Sequence, residues 1–362
     1  MPRVPERRVV LADVARHAGT SEATASRALQ GDSRIGEGTR EAVRAAALSL
    51  GYVPNAAARS LRARRTHILG LLLDDLADPV HGRVAAGFEE AAAGQGYAVF
   101  IMTGLHDPER EQRALTAFVE HRADGIVLAS CVSDPAEVHA HVPSERVVFV
   151  QPEYAGLADG DAPPPRGVLR TDDPAGLTDT IRHLIDRGYR RIAYVRSSEG
   201  ASGTLRRAAA AAALDDLGME PLRVFEAGAE GWRDASRVAS EIAAEPPDAV
   251  MCYDDKLALA LLDALRSTQL EVPADLALVG FDGIAAARQS LPRLTTVAVP
   301  WTELGRRAVE MLMASTHEGT MPESEVLPVQ IVIGDSTPPR PAPSRERRPP
   351  EVAVAAPRGR QP

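Results

Sequence analysis

Hydrophobic positions near the start of the chain recur at helical spacing. Leu11, Val14, Ala15 and Ala18 fall on one face of a first helix. Gly19 follows them and can adopt the positive φ that ends a helix. This pattern predicts a short amphipathic helix that is followed by a tight turn.

A second helix is predicted directly after that turn. Ser21 suits its N-cap, because a serine oxygen can accept from the free amides of the first turn. Ala25, Ala28 and Leu29 form its inner face. Its outer residues can contact phosphates and base edges; they are Ser21, Glu22, Ala23, Thr24, Ser26 and Arg27. A third amphipathic helix is predicted from Thr39, so periodicity alone leaves both a packing module and a DNA-binding unit open.

From His67 the pattern changes to short apolar runs that alternate with helical segments. The runs are ILGLLL, YAVFIMT, GIVLAS, VVFVQ, IAYV, AVMCY and LALVGF. Apolar strands that are separated by helices predict parallel sheets covered on both faces. The length of this region favours two Rossmann-like lobes.

Charge is distributed unevenly along the 362 residues, whose net charge is −9. Arginines outnumber acidic residues in residues 1–66 and 338–362, whereas acidic residues dominate 67–337. A basic head suits a polyanionic partner, and an acidic body resists nonspecific adhesion to the same partner. The charge pattern therefore favours nucleic acid as a partner of the head.

The cysteines and the apolar runs limit the chemistry and the compartment. Cys131 and Cys252 lack His or Cys partners at metal-ligand spacing, so we expect buried free thiols, no metal site and no cofactor. Asp13 and Arg16 interrupt the apolar stretch after the basic N-terminus, and no run reaches membrane-spanning length. We therefore expect a cytoplasmic, nucleoid-associated protein that does not contact a membrane.

Polar residues directly follow several of the predicted strands. Ligands of open α/β sheets bind beyond the carboxyl ends of the strands, so these residues are candidates for a binding cleft. They are Asp74, Asp78, Ser130, Gln151, Asp254 and Asp282. An aspartate after a strand can instead only cap the next helix, and this alternative stays open for Asp173, Asp254 and Asp255.

Several motifs resemble those of one protein family. DVARHAGTSEATASRAL, TREAV and GYVPNAAARSL closely resemble the DNA-binding region of the lactose/galactose repressor (LacI/GalR) family of bacterial transcription regulators. The resemblance continues through DDLADPVHGRVAAGFEEAA, DPEREQRAL, ADGIVLA, VGFDG and LTTVAVPWTELGRRAVEML. It implies an all-α helix-turn-helix head with a hinge helix, followed by an α/β periplasmic-binding-protein-like effector domain of two Rossmann-like lobes.

Pattern and resemblance together predict the domain boundaries. The predicted segments are a helix-turn-helix DNA-binding domain in 1–54, a hinge helix or linker in 55–66, an effector-binding and dimerisation domain in 67–337 and a tail in 338–362. The first lobe would comprise about 67–170 and 300–325, and the second about 171–299 and 326–337. The density of proline and arginine after Thr337 predicts a disordered tail.

The resemblance also implies roles for the head and the hinge. Arg27 is expected to read a base edge or to anchor the reader helix beside it, whereas Arg34 and Thr39 are expected mainly to contact phosphate. The hinge helices of a dimer are implied to enter the minor groove and to wedge Leu61 into the central base step. The other hinge residues that the resemblance assigns to DNA are Asn55 and Ala58. The alternative is a flexible basic linker.

In the cleft, the resemblance places Asp282 on the family's effector-binding aspartate and Arg206 on its effector-binding arginine. Asp254 stands where the family usually has an asparagine. Val80 and His81 stand where the family often carries aromatic rings that stack on the ligand. The alternative for His81 is a solvated residue of the first helical turn. Trp232 is a further candidate for the cleft lining.

These observations predict a homodimeric repressor that binds a palindromic operator in double-stranded DNA and responds to a small polar effector, with a sugar or sugar derivative as the leading class. The alternatives are a solute-binding protein of the same fold, and a family regulator that activates or has no effector. An enzyme is not expected. Adjacent Asp254 and Asp255 would not face each other on a helix, and the sequence has no nucleotide-binding glycine loop, HExxH or GxSxG motif.

Overall fold

A computed structural model describes residues 9–53, 65–154, 166–196, 200–228, 231–320 and 323–340. The chain divides into two compact units, Met1–Thr66 and His67–Pro362. The hinge residues Asn55, Ala58 and Leu61 and the predicted tail from 341 onward lie outside the described residues.

The first unit contains three helices: α1 (Leu11–His17), α2 (Glu22–Leu29) and α3 (Glu37–Ser49). Val14, Ala25, Ala28 and Val43 are fully buried where the helices meet, as their helical spacing predicts. Gly19 has a φ of 66° at the turn after α1. The three predicted helices of the head are confirmed.

The second unit alternates strands and helices. Its elements in chain order are β1 (Ile68–Leu73), α4 (Pro79–Gly94), β2 (Ala98–Thr103), α5 (Pro108–Glu120), β3 (Gly125–Ala129), α6 (Pro135–His141), β4 (Val147–Val150), β5 (Val168–Thr171), α7 (Asp173–Asp186), β6 (Ile192–Arg196), α8 (Ala201–Asp216), β7 (Arg223–Glu226), α9 (Ala235–Ala244), β8 (Ala249–Cys252), α10 (Asp255–Leu265), β9 (Ala277–Asp282), α11 (Ala285–Gln289), β10 (Thr295–Ala298), α12 (Trp301–Glu318), β11 (Glu325–Leu327) and β12 (Gln330–Val332). Short 3₁₀ turns lie at Ser144–Arg146 and Gly231–Asp234.

Within the described residues, the strands form two six-stranded sheets of the same order. The first runs β2-β1-β3-β4-β5-β11 and the second β7-β6-β8-β9-β10-β12. The pairs are parallel except for β10 with β12. Central strands such as β3 and β8 are buried along their whole length, because helices cover both faces of each sheet.

The chain crosses between the two lobes after β5, after β10 and between β11 and β12. Because β11 pairs with β5, the first lobe extends to Leu327, two residues beyond the boundary that the sequence predicted. The strands β5, β7, β10, β11 and β12 are absent from the predicted apolar runs, since they are short and several lie at sheet edges.

Helices α4 and α12 pack closely in the first lobe. A Cβ atom at Gly87 would lie 1.9 Å from the carbonyl oxygen of Thr302, so this approach requires a glycine. Both cysteines are buried and free, as predicted. No helix in the described part of the chain is long and apolar enough to cross a bilayer.

Candidate functional site

Helix α2 presents polar groups on an exposed face of the first unit. The side chain of Ser21 accepts a hydrogen bond from the amide of Thr24 at 3.2 Å, which confirms the predicted N-cap. Arg27 is exposed, and its Nε donates to the carbonyl oxygen of Ala23 at 3.2 Å. Glu22 and Ala23 are exposed, whereas Thr24 and Ser26 are half-buried. A rigid helix therefore offers donors and acceptors whose present partners are all local.

Arg34 and Thr39 lie outside α2. Arg34 is exposed and pairs with Asp32, with 2.8 Å between Nη2 and Oδ2, and this hydrogen bonding lowers the pKa of Asp32 to about 2. Thr39 lies half-buried in the first turn of α3. Both positions suit contacts with a phosphate, because phosphate oxygens accept from guanidinium groups and from helix N-termini.

A cavity of about 420 Å³ lies in the second unit, where residues after the strands of both sheets meet. Every candidate cleft residue that the sequence singled out lines it: Asp74, Asp78, His81, Ser130, Gln151, Arg206, Asp254 and Asp282. The carboxyl ends of parallel strands carry Asp74, Ser130, Gln151, Asp254 and Asp282 to one place, as expected for open α/β sheets, and the helices that follow the strands add Asp78, His81 and Arg206.

The backbone is strained at several of these strand ends. Ser130, Gln151, Asp282 and His106 line the cavity with positive φ angles of 56°, 47°, 100° and 53°. Residues other than glycine rarely adopt such angles, and strained residues of this kind cluster at active sites and ligand clamps. Four of the seven described non-glycine residues with positive φ line this cavity, which supports it as the candidate site independently of its side chains.

Arg206 is buried in the wall of the cavity and held by carboxylates. Its Nε lies 2.7 Å from Oδ2 of Asp173, its Nη1 donates to the carbonyl oxygen of Tyr253 at 3.1 Å, and its Nη2 lies 3.9 Å from Oδ1 of Asp282. The guanidinium also lies over the ring of Phe281, 3.7 Å from its centre. Burial alone would lower the pKa of Arg206, but Asp173 and Asp282 outweigh it and raise the pKa.

Asp282 faces the cavity as a buried carboxylate. Burial raises its pKa well above the ordinary value, Arg206 opposes this shift, and the carboxylates of Asp254, Asp255 and Asp78 add to it. The backbone carbonyl of Asp282 accepts from the indole nitrogen of Trp301 at 3.2 Å. A ligand that donates hydrogen bonds to this carboxylate would relieve its burial.

The other predicted aspartates are held by hydrogen bonds and ion pairs with neighbouring groups. Asp74 accepts from Nδ1 of His106 at 2.8 Å and from its amide at 2.6 Å. Burial would raise the pKa of Asp74, but His106 lowers it below the ordinary value. Asp78 caps α4 and pairs with Lys256. Asp254 caps α10 by accepting from the amide of Leu257 at 2.7 Å, so it is both a helix cap and a lining residue.

Asp173 and Asp255 do not cap helices. Asp172 is the N-cap of α7, whereas Asp173 is the ion-pair partner of Arg206. Asp255 is fully buried inside the second lobe and accepts from the amide of Ile284 at 2.8 Å. Burial raises the pKa of Asp255 to about 7. The capping alternative is therefore wrong for both residues.

His81 and Gln151 are fixed by their neighbours. His81 is buried, with Nδ1 at 2.8 Å from the carbonyl oxygen of Asp75, so the solvated alternative is wrong. The side-chain Nε2 of Gln151 donates to Oγ1 of Thr171 at 2.8 Å, at the end of β5 where the chain crosses between the lobes. Trp232 lines the cavity and stays about half exposed.

Several lining residues were not found from the sequence. They are Asp75, His106, Glu153, Ser202, Gly231, Arg233, Tyr253, Lys256, Leu257 and Trp301. Tyr253 directly follows β8, so the rule that finds residues at strand ends could have included it. His106, Glu153 and Ser202 lie in loops or at a helix start, where their positions depend on distant contacts such as the 2.9 Å hydrogen bond from the Ser202 amide to Glu153.

In the part of the chain that the structure describes, no group of three or more His, Cys, Asp or Glu side chains could hold a metal ion. The cavity lining includes several carboxylates, the side-chain amide of Gln151, the ammonium of Lys256 and the guanidinium groups of Arg206 and Arg233.

Comparisons with known proteins agree with this architecture. Residues 10–55 match the model of bacterial regulatory proteins of the lacI family, and residues 181–337 match the periplasmic binding protein-like domain. The Escherichia coli (strain K12) HTH-type transcriptional regulator GalR is 30% identical over 318 residues, which cover 86% of this chain and 90% of GalR.

Two solved structures are similar over the length of the chain. The Lac repressor dimer bound to operator and the anti-inducer ONPF has a TM-score of 0.80 at 24% identity, covering 92% of this chain and all of that one. The transcriptional regulator CelR in complex with cellobiose has a TM-score of 0.64 at 26% identity, covering 91% of this chain and 100% of its own. The predicted fold class, a helix-turn-helix head before two α/β lobes, is confirmed.

Proposed function

Because this chain belongs to the LacI family of bacterial transcription regulators, we propose that it acts as a homodimeric repressor whose operator affinity is set by a small polar effector. The observation that carries the effector half of this proposal is the cavity, in which strained strand ends of two sheets converge on buried charges. The observation that carries the DNA half is the exposed polar face of α2.

On DNA, we assign direct base contacts to the leading residues of α2. Glu22 can accept from a cytosine amino group, Ala23 can contact a thymine methyl, and Arg27 can donate to guanine. Ser21, Thr24 and Ser26 supply hydroxyls beside them, and Arg34 and Thr39 contact phosphate. A dimer with one such helix per subunit requires a palindromic site, and a wedge at Leu61 in the 55–66 hinge favours a deformable pyrimidine-purine step at its centre.

In the cavity, we assign effector binding to the eight candidate residues. Buried carboxylates such as Asp254 and Asp282 accept from hydroxyl groups, and the half-exposed ring of Trp232 can cover a sugar face. The cavity volume lies within the range of small-molecule sites. The CelR structure contains cellobiose, which supports a sugar or sugar derivative as the leading ligand class here.

The proposed mechanism couples the two functions through the lobes. A ligand that contacts both lobes favours one interlobe arrangement, and a changed arrangement alters the spacing of the two heads of a dimer. A ligand that prefers the DNA-bound arrangement acts as a corepressor, and one that prefers the other arrangement acts as an inducer.

We propose regulation without catalysis, in the cytoplasm at the nucleoid. The two adjacent aspartates support this view, because Asp254 caps α10 at the cavity whereas Asp255 is fully buried beneath Ile284. They do not form a carboxylate pair that could act together on a substrate.

Two successive selections test the proposed function. Genomic fragments that the full chain retains are sequenced first, and a panel of sugars and other metabolites is then tested for release or tighter retention of those fragments. We expect a shared palindrome and at least one polar metabolite that changes retention. A monomer-length or nonpalindromic site would contradict the dimer, and a full metabolite panel without effect would contradict effector control.

A further inference from the structure

The sole lysine of the chain occupies an unusual place. Lys256 lies in the first turn of α10. A cation there is unfavourable, because the amides at a helix N-terminus carry partial positive charge. Something outside the helix must therefore compensate the ammonium group.

Carboxylates of both lobes surround this ammonium. Its Nζ forms an ion pair with Oδ2 of Asp78, the N-cap of α4 in the first lobe. It also lies 3.7 Å from Oδ2 of Asp254, the N-cap of α10 in the second lobe. The side chains of Asp78 and Asp254 are 16% and 11% exposed and that of Lys256 is 40% exposed, so water screens the two carboxylates less than the ammonium.

The local charge balance also requires a cation at this position. Burial raises the pKa of Asp254, and Lys256 is the largest influence that opposes this shift. Burial alone would lower the pKa of Lys256, but Asp254 and Asp78 outweigh it and raise the pKa. Without the ammonium, two carboxylates from opposite lobes would face each other in a partly dehydrated cavity.

We propose that Asp78 and Asp254 form a subsite for a primary ammonium that bridges the two lobes, and that Lys256 fills this subsite in cis. The lysine then holds the lobes together without a ligand, alongside other interlobe contacts such as the 3.3 Å hydrogen bond from the Arg83 guanidinium to the carbonyl oxygen of Gly283. One consequence rests on the proposed effector cleft. A phosphorylated sugar is repelled by the two carboxylates here, whereas an amine-bearing ligand can displace Lys256.

Chemical rescue tests the subsite without any effector or operator. Lys256→Ala removes the three outer methylene groups and the ammonium, which n-propylammonium replaces. We expect Lys256→Ala to lower the unfolding midpoint of the full chain by about 2 to 4 °C. Saturating n-propylammonium chloride should restore at least half of that loss, with sodium chloride at the same ionic strength as the reference. The wild type should not respond, because its own lysine fills the subsite.

Three controls separate a subsite from a general salt or solvent effect. Tetramethylammonium has the charge but no N–H donor, and 1-propanol has the chain but no charge, so neither should rescue Lys256→Ala. The double variant Lys256→Ala with Asp78→Asn should not respond to n-propylammonium. Arg266→Ala, which removes an exposed ion pair with Asp263 at the end of the same helix, should barely change the midpoint.

Equal responses to n-propylammonium and tetramethylammonium would overturn the proposal, as would rescue of the double variant or no rescue at all.

Amine-selective acetylation gives a second measurement on folded protein. Because Lys256 is the only lysine, its peptide reports on the subsite alone. Asp78→Asn should speed acetylation of Lys256 several-fold, and an unchanged rate would overturn the interlobe bridge. Rescue together with a failed metabolite screen would leave the subsite standing and would count against effector control alone.

Discussion

The polar face of α2 and the polar lining of the cavity arrange similar side chains in opposite ways. On α2, Ser21 and Arg27 lie at the surface and bond only to groups within the same helix or its cap. In the cavity, Arg206 and Asp282 are buried and interact with partners that are distant in sequence. The first arrangement leaves donors available to a large partner. In the second, the buried charges carry a free-energy cost that a small ligand can reduce by forming hydrogen bonds with them.

Because of this difference, substitutions on α2 and substitutions in the cavity should affect different properties of the protein. Groups on α2 can be removed with little effect on folding, because water replaces their local partners. Buried charged groups in the cavity cannot, because each removal leaves a buried partner without compensation. The same kind of substitution should therefore change DNA recognition in the head and stability in the cavity.

The largest effect is expected for Arg206→Met. The substitution leaves Asp173 and Asp282 without their shared cation, which should cost roughly 3 to 5 kcal/mol of unfolding free energy. Urea unfolding of the full chain measures this loss. The double variant with Asp173→Asn should be less destabilised than Arg206→Met alone. A cost below that of the surface variant Arg266→Ala would contradict the compensating role of Arg206.

A pH effect is expected from His183 in the second lobe. Burial lowers its pKa from 6.5 to about 4, so the unfolded chain binds a proton more readily than the folded one between these values. The unfolding free energy is therefore at its full value above pH 6.5. It falls by roughly 2 to 3 kcal/mol as the pH is lowered towards 4, because protonation of His183 favours the unfolded chain. His183→Gln should flatten the dependence of unfolding free energy on pH in this window. An equally steep dependence in the variant would refute the assignment.

In the head, Arg27→Ala should lower operator affinity relative to random DNA by about 1 to 3 kcal/mol while the unfolding of the protein stays unchanged. The matched control is Arg34→Ala, which removes another exposed guanidinium and should weaken binding to both DNAs equally. Fluorescence anisotropy with operator and scrambled duplexes measures both ratios. Equal losses on the two duplexes for Arg27→Ala would show that this residue does not read a base.

The smallest effect is expected for His106, whose side chain is 60% exposed at the cavity. Hydrogen bonding to Asp74 raises the pKa of His106. The ion pair between His106 and Asp74 therefore contributes fully to the unfolding free energy below pH 6.5. This contribution is lost as the pH rises through the raised pKa of His106. Solvent screening limits it to well under 1 kcal/mol. In the wild type, the unfolding free energy should be slightly lower at pH 9 than at pH 6 because this ion pair is lost, and His106→Gln should remove that difference. If the difference persists in the variant, it comes from another group.

The sequence predicted those parts of the molecule that depend on local patterns. The cap at Ser21 and the buried alanines of α2 follow from neighbours a few residues away. The candidates Asp74, Ser130, Gln151 and Asp282 follow from one rule of sheet geometry, because each ends or follows an apolar run. These inferences require no knowledge of how the two lobes meet.

The parts that escaped prediction depend on contacts between distant segments. Lys256 is an ordinary exposed helix residue in the sequence, and only its approach to Asp78 in the other lobe gives it a partner. Asp173 was open as a helix cap until its contact with Arg206 was known. The strand β11 is too short to have a pattern, and its pairing with β5 moved the lobe boundary to Leu327.

Calorimetry on the wild type and Asp282→Asn tests the central claim that the cavity binds the effector and controls the head. Asparagine is chosen because it tolerates the φ of 100° at this position better than most residues. With the metabolite that alters operator retention as the ligand, we predict that the variant binds it at least tenfold more weakly, a loss of about 1.4 kcal/mol, and keeps wild-type operator affinity without the ligand. Unchanged ligand affinity, or a parallel loss of operator binding, would contradict the account.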